Sequence, residues 1–182
     1  MSGDVLERLR GLLRDEGGLI ATLVDPAARV DRATEPEITA SPASVAAGGP
    51  RTEARRAEYE LLVEAIYEGY LLHYGSPRVV RAPEADLGLL AGDRLYAIGL
   101  ARLFALGDTA AVAELADTIA LSALAHGAGE HALADAVWAA GARAVGWGSS
   151  EVHRRAKDLV SAGDPEAIEA MRTSAAAAPG VI

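Results

Sequence analysis

The sequence repeats apolar residues at intervals of three and four over most of its length, and alanine supplies much of that apolar content. Hydrophobic residues make up 51% of the 182 residues but aromatic residues only 4%, with Phe104 as the single phenylalanine. Alanine has the highest helix propensity, and its short side chain lets helices approach closely. β-Sandwich cores depend instead on β-branched and aromatic side chains. The pattern therefore predicts an all-α fold, a compact bundle of about five to seven helices.

Composition also excludes several classes of function. The formal net charge of −9 argues against nucleic acid as a partner. Cysteine is absent, which excludes disulfides, thiol nucleophiles and thiolate metal sites. Neither a secretory signal nor an apolar stretch of the roughly 20 residues that a spanning helix needs is visible. We therefore expect a cytoplasmic protein with no transmembrane segment.

Four segments are predicted along the chain. Residues 1–24 hold a short amphipathic helix over 3–15, after which residues 19–24 can add an apolar turn. Residues 25–50 are rich in proline and glycine and lack periodicity, so we expect a linker or a surface arm outside the core. Residues 51–172 are the helical core domain, and residues 173–182 are expected to be a disordered tail.

Glycine, proline and capping residues delimit the helices of the core domain. Thr52 is the expected N-cap of the first helix, and Pro165 is the expected first residue of the last one. The expected helices are 52–73, 84–106, 109–126, 130–145, a charged helix capped by Ser149 or Ser150 that runs to 161, and 165–171.

His126, Glu130 and His131 form the densest group of metal-ligating residue types, and the first two share a helical face. Two histidines and a carboxylate are ligands that zinc accepts. The alternative is a polar collar around the helix break at this point, and we prefer it because such clusters are often structural. No metal and no other cofactor is therefore predicted. His153, which lies among charged residues, is expected to face solvent.

Glycine interrupts the apolar helix expected over 84–106. Gly92 stands at a helix-interior position, where glycine costs about 1 kcal/mol relative to alanine. A helix tolerates this cost where another backbone comes close, and Gly69 and Gly99 indicate the same tight packing. The neighbouring Asp93 is expected to pair with an arginine or to hydrogen-bond across the crossing.

Two further groups have a functional and a structural interpretation. Tyr67, Tyr70 and Tyr96 are candidates to line an apolar pocket with their hydroxyls at its rim. Simple core filling with solvated hydroxyls is the alternative that we prefer. Arg78 and Arg81, with Arg94 further along the chain, are candidates to contact a diphosphate, but exposed basic residues beside prolines are more often solubilising charge.

The same helices resemble a known family. The stretch LGLLAGDRLY at 87–96, which continues to LFALGD at 103–108, is similar to a helix of trans-polyprenyl diphosphate synthases. That helix carries a Leu-Ala-Gly-Asp stretch and ends in a Gly-Asp turn. The stretch EAIYEGYLLH at 64–73 resembles the helix that ends in His-Asp-Asp in the catalytic members. The similarity covers residues 58–130 and implies an isoprenoid-synthase-like fold.

The chain departs from the catalytic members at both aspartate-rich motifs. The first motif should follow His73, where this chain has Tyr74-Gly75-Ser76, and no second motif occurs downstream. In the family these aspartates hold the magnesium ions that neutralise the diphosphate leaving group. The chain is therefore not expected to be catalytic alone. The resemblance implies instead a short non-catalytic subunit, like those of two-component heptaprenyl and hexaprenyl synthases, which pair with a catalytic subunit and help set product length.

In this interpretation the helices over 84–106 and 109–126 form the heterodimer face. Bulky side chains there, such as those of Leu95, Tyr96 or Leu100, close or open the floor of the partner's chain tunnel. The expected partner is a catalytic prenyl synthase subunit or a second copy of the chain. The interface and pocket candidates are Tyr67, Tyr70, Leu90, Gly92, Asp93, Leu95, Tyr96, Gly99, Leu100 and Ile119.

Two alternatives remain open at this point. The first is a stand-alone helical interaction or scaffold protein, whose likeness to the synthases is a consequence of helical composition. The second is an enzyme or binding protein with a polar site around His126, Glu130, His131 and Asp135.

Overall fold

The computed structural model describes residues 2–25 and 40–177, and in these two ranges the chain forms nine α-helices and one 3₁₀ turn. The predicted all-α fold class is confirmed. Seven of the helices correspond to the predicted ones, the short α2 lies where an apolar turn was expected over residues 19–24, and the short α3 is additional. The helices are α1 Ser2–Glu16, α2 Gly18–Thr22, α3 Pro42–Ala47, α4 Arg56–Tyr74, α5 Ala85–Ala105, α6 Thr109–Gly127, α7 His131–Trp147, α8 Glu151–Ala162 and α9 Ala167–Ala176.

Two helices, α4 and α7, organise the packing. α4 lies along α5 and also contacts α1 and α3, whereas α7 packs against α3, α6 and α9, and α8 closes onto α9 and α6. The apolar spacing of α1 places Leu9 and Leu13 fully inside a first cluster with Val79 and Leu95. A second cluster fills the space between α3, α4, α6 and α7, and a third joins α7, α8 and α9.

A buried carboxylate fixes the extended segment between α4 and α5. Glu68 is fully buried, and its Oε1 accepts hydrogen bonds from the backbone N–H groups of Arg78, Val79 and Val80 at 2.7, 2.6 and 3.1 Å. Val80 in turn forms a β-bridge with Val24. Backbone donors that are buried without a partner destabilise a fold. Glu68 therefore accepts the hydrogen bonds that a neighbouring β-strand would otherwise accept.

The expected arm over residues 25–50 is wrong for its second part, because α3 lies in the core. The hydroxyl of Ser41 accepts a hydrogen bond from the N–H of Ser44 at 3.2 Å and caps this helix, with Pro42 at its start. Ala43 and Ala46 are fully buried, and the helix packs between α4 and α7. Alanine alone provides this buried face, which is why the segment reads as a linker. Residues 26–39 of the expected arm lie outside the described residues.

Three expected boundaries also differ from the structure. The Thr52 side chain does not cap α4, because its hydroxyl donates to the carbonyl of Ala46 at 2.7 Å and so holds α3 in place. α9 begins at Ala167, after Pro165. The tail expected from residue 173 is helical to residue 176 with Ser174 buried, and residues 178–182 lie outside the part of the chain that the structure describes.

Gly69 of α4 and Gly92 and Gly99 of α5 lie where the two helices cross. A Cβ on Gly92 would lie 2.6 Å from ring atoms of His73, and a Cβ on Gly69 would lie 2.9 Å from the carbonyl oxygen of Gly92. A Cβ on Gly99 would lie 2.3 Å from Cγ1 of Ile66. These distances leave no room for a methyl group, so the predicted close crossing is confirmed.

The crossing predicts that the loss of stability on replacing a glycine of α5 depends on the position of that glycine. Gly92→Leu is expected to lower the free energy of unfolding by about 1–3 kcal/mol or more, because it overpacks the contact with α4. Gly88→Ala is the control, since its Cβ would have Ala82 at an ordinary 3.7 Å. We expect Gly88→Ala to be neutral or to raise stability by up to about 1 kcal/mol. Urea unfolding followed by circular dichroism measures both, and a fully stable Gly92→Leu variant contradicts the crossing.

Candidate functional site

The outward side of α5 carries an apolar stripe with the spacing of a helix–helix seam. Leu90 and Phe104 are 62% and 65% exposed, and Ala97 and Ala101 between them are also exposed. With Arg94, these positions follow one another at steps of four and three residues, the spacing of core positions in a heptad repeat. We call Leu90, Ala97, Ala101 and Phe104 the α5 stripe. It is an unpaired helical seam within the described parts of the chain.

The predicted interface and pocket candidates separate by burial. Leu95 is fully buried beneath α1, so it is not available at the surface for a role in a partner's tunnel. Two of the ten candidates are exposed, Leu90 and Asp93; four are half-buried, Tyr67, Tyr96, Leu100 and Ile119; and four are buried, Tyr70, Gly92, Leu95 and Gly99.

An aromatic cluster joins α4, α6 and α7. The rings of Tyr67 and Tyr70 stack with centroids 5.6 Å apart, and both contact Trp138 at 5.0 and 5.1 Å. The Tyr70 hydroxyl lies 2.9 Å from Nε2 of His126, whose ring is parallel to that of Tyr74 at 4.2 Å. Burial raises the pKa of Tyr70 to about 12, so the phenol stays neutral at physiological pH. These tyrosines fill the core, and Tyr96 lies apart from them against His73.

The two histidines at the α6–α7 junction contact each other. Nδ1 of His126 lies 3.0 Å from Nδ1 of His131. Burial and the neighbouring His131 lower the pKa of His126, although Asp135 opposes the shift. Within residues 2–25 and 40–177, no group of three or more histidine, aspartate or glutamate side chains is placed to hold a metal ion. The contact between the two histidines lies at the helix break, where the polar-collar interpretation places it.

His73 lies in the last turn of α4, and its surroundings involve α5. Its Nε2 lies 3.2 Å from Oδ1 of Asp93, too poorly aligned for a hydrogen bond, and its ring stacks on that of Tyr96 at 5.3 Å. Asp93 thus faces a histidine across the helix crossing, where an arginine was one of the expected partners.

All three arginines considered for a diphosphate are already engaged by carboxylates, and Arg94 pairs with Glu16 at 3.2 Å. Arg78 forms ion pairs with the buried Glu64 and Glu68, and Arg81 pairs with Asp25 at 2.9 Å. Burial raises the pKa of Glu64, while Arg78 opposes that shift. Because two buried carboxylates face one guanidinium, this region does not present the excess positive charge that a diphosphate requires.

A buried polar network that the sequence analysis missed joins α6, α8 and α9. Nε2 of His153 lies 2.6 Å from Oε1 of Glu114, and its Nδ1 lies 2.8 Å from the hydroxyl of Ser174. Lys157 donates to Oε2 of Glu114 at 3.1 Å and to Asp117 at 2.7 Å. His153 is 3% exposed, so its expected solvation is wrong.

Serine, histidine and glutamate in a hydrogen-bonded series form the catalytic triads of serine hydrolases. Ser174 is buried in the last turn of α9, where the backbone N–H groups are engaged within the helix. A triad also needs an accessible nucleophile and free donors for an oxyanion. The geometry therefore indicates a structural role for this network, in which hydrogen bonds and ionic contacts of Glu114 and His153 join α6, α8 and α9.

The network predicts that stability depends on the Glu114 carboxylate. Glu114→Gln is expected to lower the free energy of unfolding by about 3–5 kcal/mol, since it breaks a buried ionic contact. Asp117→Asn is the control, because Asp117 pairs with the same lysine at an exposed position, and a loss below about 1 kcal/mol is expected. Equal losses of unfolding free energy for Glu114→Gln and Asp117→Asn in urea unfolding would contradict a stabilising role of the buried ionic contact.

The same carboxylate predicts a stability loss in acid. Burial by itself raises the pKa of Glu114, but the hydrogen bonds and charges of His153 and Lys157 outweigh it and leave the pKa lowered. A lowered folded-state pKa contributes stability that is present above the unfolded-state pKa and lost as the pH falls through the folded-state value. Unfolding free energies measured downward from pH 5, across the ordinary glutamate pKa of about 4.3, should fall more steeply for the wild type than for Glu114→Gln. Identical slopes would contradict this role.

Comparison with known proteins finds no match: no family model matches the sequence, and no curated protein or solved structure matches it. Among the described helices, none is long and apolar enough to cross a membrane. The class that the geometry defines is an all-α protein whose α5 carries a seam left unpaired by residues 2–25 and 40–177.

Proposed function

We propose that this protein is a non-catalytic accessory subunit that binds a trans-polyprenyl diphosphate synthase-like catalytic partner through the α5 stripe. The observation that carries the proposal is the position of the stripe. Its exposed residues Leu90 and Phe104 lie on the helix that carries the Leu-Ala-Gly-Asp stretch, on the side that faces away from α4.

The composition of the α5 stripe suits docking of a helix. Ala97 and Ala101 allow close approach in its middle, while Leu90 and Phe104 provide large apolar contacts at its ends. Arg94, which interrupts the apolar row between Leu90 and Ala97, and Arg102 at its edge pair with Glu16 at 3.2 and 2.7 Å. Apolar groups surrounded by charged ones are the usual arrangement of a protein interface.

The surroundings of the α4 terminus support a non-catalytic role. The chain continues after His73 with Tyr74-Gly75-Ser76, so the position of the family's first aspartate-rich motif lacks carboxylates. Arg78 and Arg81 are already paired with carboxylates. The partner must therefore supply the magnesium site and the positive charge for the diphosphate. Because diphosphate substrates are charged and water-soluble, we propose that the complex acts in the cytoplasm.

Product length would be tuned sterically in the complex. Leu95 cannot contribute, because it is buried beneath α1, whereas Tyr96 and Leu100 are half-buried. Phe104 is the largest exposed side chain of the α5 stripe. We therefore assign to Phe104 the contact that closes the floor of the partner's tunnel.

A stand-alone helical interaction protein is the second candidate function. The α5 stripe favours it too, because a heptad-spaced seam can pair with the same seam of a second copy. In that case the chain self-associates through α5 and has no prenyl-related role.

Co-expression with the full-length trans-prenyl synthase of the same genome tests the proposal. We expect the two chains to co-elute in size-exclusion chromatography and the product length to differ from that of the synthase alone. The double variant Leu90→Glu/Phe104→Glu should abolish co-elution while it retains the helical circular dichroism spectrum. Val152→Glu is the matched control, since Val152 is a 49% exposed apolar residue on α8.

Two results would overturn the proposal. Magnesium-dependent condensation by the purified chain alone would contradict its non-catalytic role. Absence of co-elution together with unchanged product length would exclude the accessory subunit. Self-association that the double variant abolishes would then establish the second candidate.

A further inference from the structure

A cavity of about 510 Å³ opens where four helices end or begin. α6 and α8 end at it, and α7 and α9 begin at it. Its lining is mostly apolar and includes Leu124, Leu133, Val160 and Ile168. The volume lies within the roughly 300–1,000 Å³ of small-molecule sites. We call it the α6–α9 cavity.

The charged groups at the α6–α9 cavity are all negative. Glu130 and Asp164 line it, and among the described residues no lysine, arginine or histidine does so. Because two helix C-termini and two helix N-termini meet there, their dipoles oppose one another. The two carboxylates therefore set the sign of the electrostatic potential. An anionic ligand would meet repulsion without a counter-charge.

The polar rim of the cavity is held in place by local hydrogen bonds. Oδ1 of Asp164 accepts a hydrogen bond from the N–H of Glu166 at 2.8 Å, and the hydroxyl of Ser161 donates to the carbonyl of Lys157 at 3.0 Å. Gly163 turns the chain between these residues with a φ of +65°, a left-handed conformation that glycine adopts without strain. The Asp164 carboxylate is thus oriented before any ligand arrives.

We propose that the α6–α9 cavity binds a small molecule with a compact apolar body and a cationic ammonium group. The apolar body replaces water against Leu124, Leu133, Val160 and Ile168, and the ammonium group lies between the Glu130 and Asp164 carboxylates. This binding site is independent of the proposed subunit function, since the cavity shares no residue with the α5 stripe.

Three probes with the same eight-carbon alkyl group and different head groups test the ligand class. Octylammonium, octanol and octanoate are titrated into ¹⁵N-labelled protein below their aggregation concentrations, and amide shifts are followed at the lining residues Ala128, Gly163 and Ala167. Octylammonium should bind saturably and at least fivefold more tightly than octanol, and octanoate should bind least. Equal affinity for octylammonium and octanoate, or no saturable shift at these amides, overturns the proposal.

Two variants with matched controls locate the binding site. Glu130→Gln/Asp164→Asn should remove the preference for octylammonium over octanol, whereas Glu166→Gln/Glu169→Gln, which changes two nearby carboxylates outside the lining, should retain it. Ala162→Phe should weaken all three probes by filling the cavity. The corresponding control is Ala139→Phe at an exposed position of α7. A preference that survives the first double variant contradicts the assignment of the carboxylates.

Discussion

The close crossing of α4 and α5 is the contact on which the rest of the structure depends. Gly69, Gly92 and Gly99 remove the side chains that would otherwise separate the two backbones. Because interiors are close-packed and resist changes of even one methylene group, this approach fixes the rotation of α5 about its own axis. Leu95 then points inward beneath α1, and Leu90 points outward. The α5 stripe is thus a geometric consequence of the crossing.

Buried carboxylates provide the second level of organisation. Glu68 satisfies backbone donors that have no helical partner, and Glu114 joins three helices through His153 and Lys157. A buried charge is tolerated only where ionic contacts and hydrogen bonds compensate for its desolvation. Both carboxylates meet this condition. They act as specific connections between helices that are rich in alanine and offer few large side chains to fix the register of one helix against another.

Local pattern predicted the helices and the glycine crossing, because both follow from residue spacing along one segment. α3 was missed because its buried side is made of alanine and lies beside prolines. His153 was misread from its charged neighbours, although His153 and the buried Ala156 and Val160 follow one another at steps of three and four residues, which places His153 on the inner face of α8. The contact of His73 with Asp93 joins two helices, so the spacing of residues within either helix could not predict it. Partners that are distant in sequence depend on tertiary packing.

The α5 stripe connects this architecture with the proposed function, because a heptad-spaced seam on an outer helix lacks a partner within the described chain. Site-specific photo-crosslinking tests that claim most directly. A benzophenone amino acid at position 104 is compared with the same amino acid at position 152, with the full-length synthase present and irradiation identical. The account predicts a crosslinked heterodimer from position 104 and none from position 152. A crosslink to the synthase from position 152 alone would contradict it.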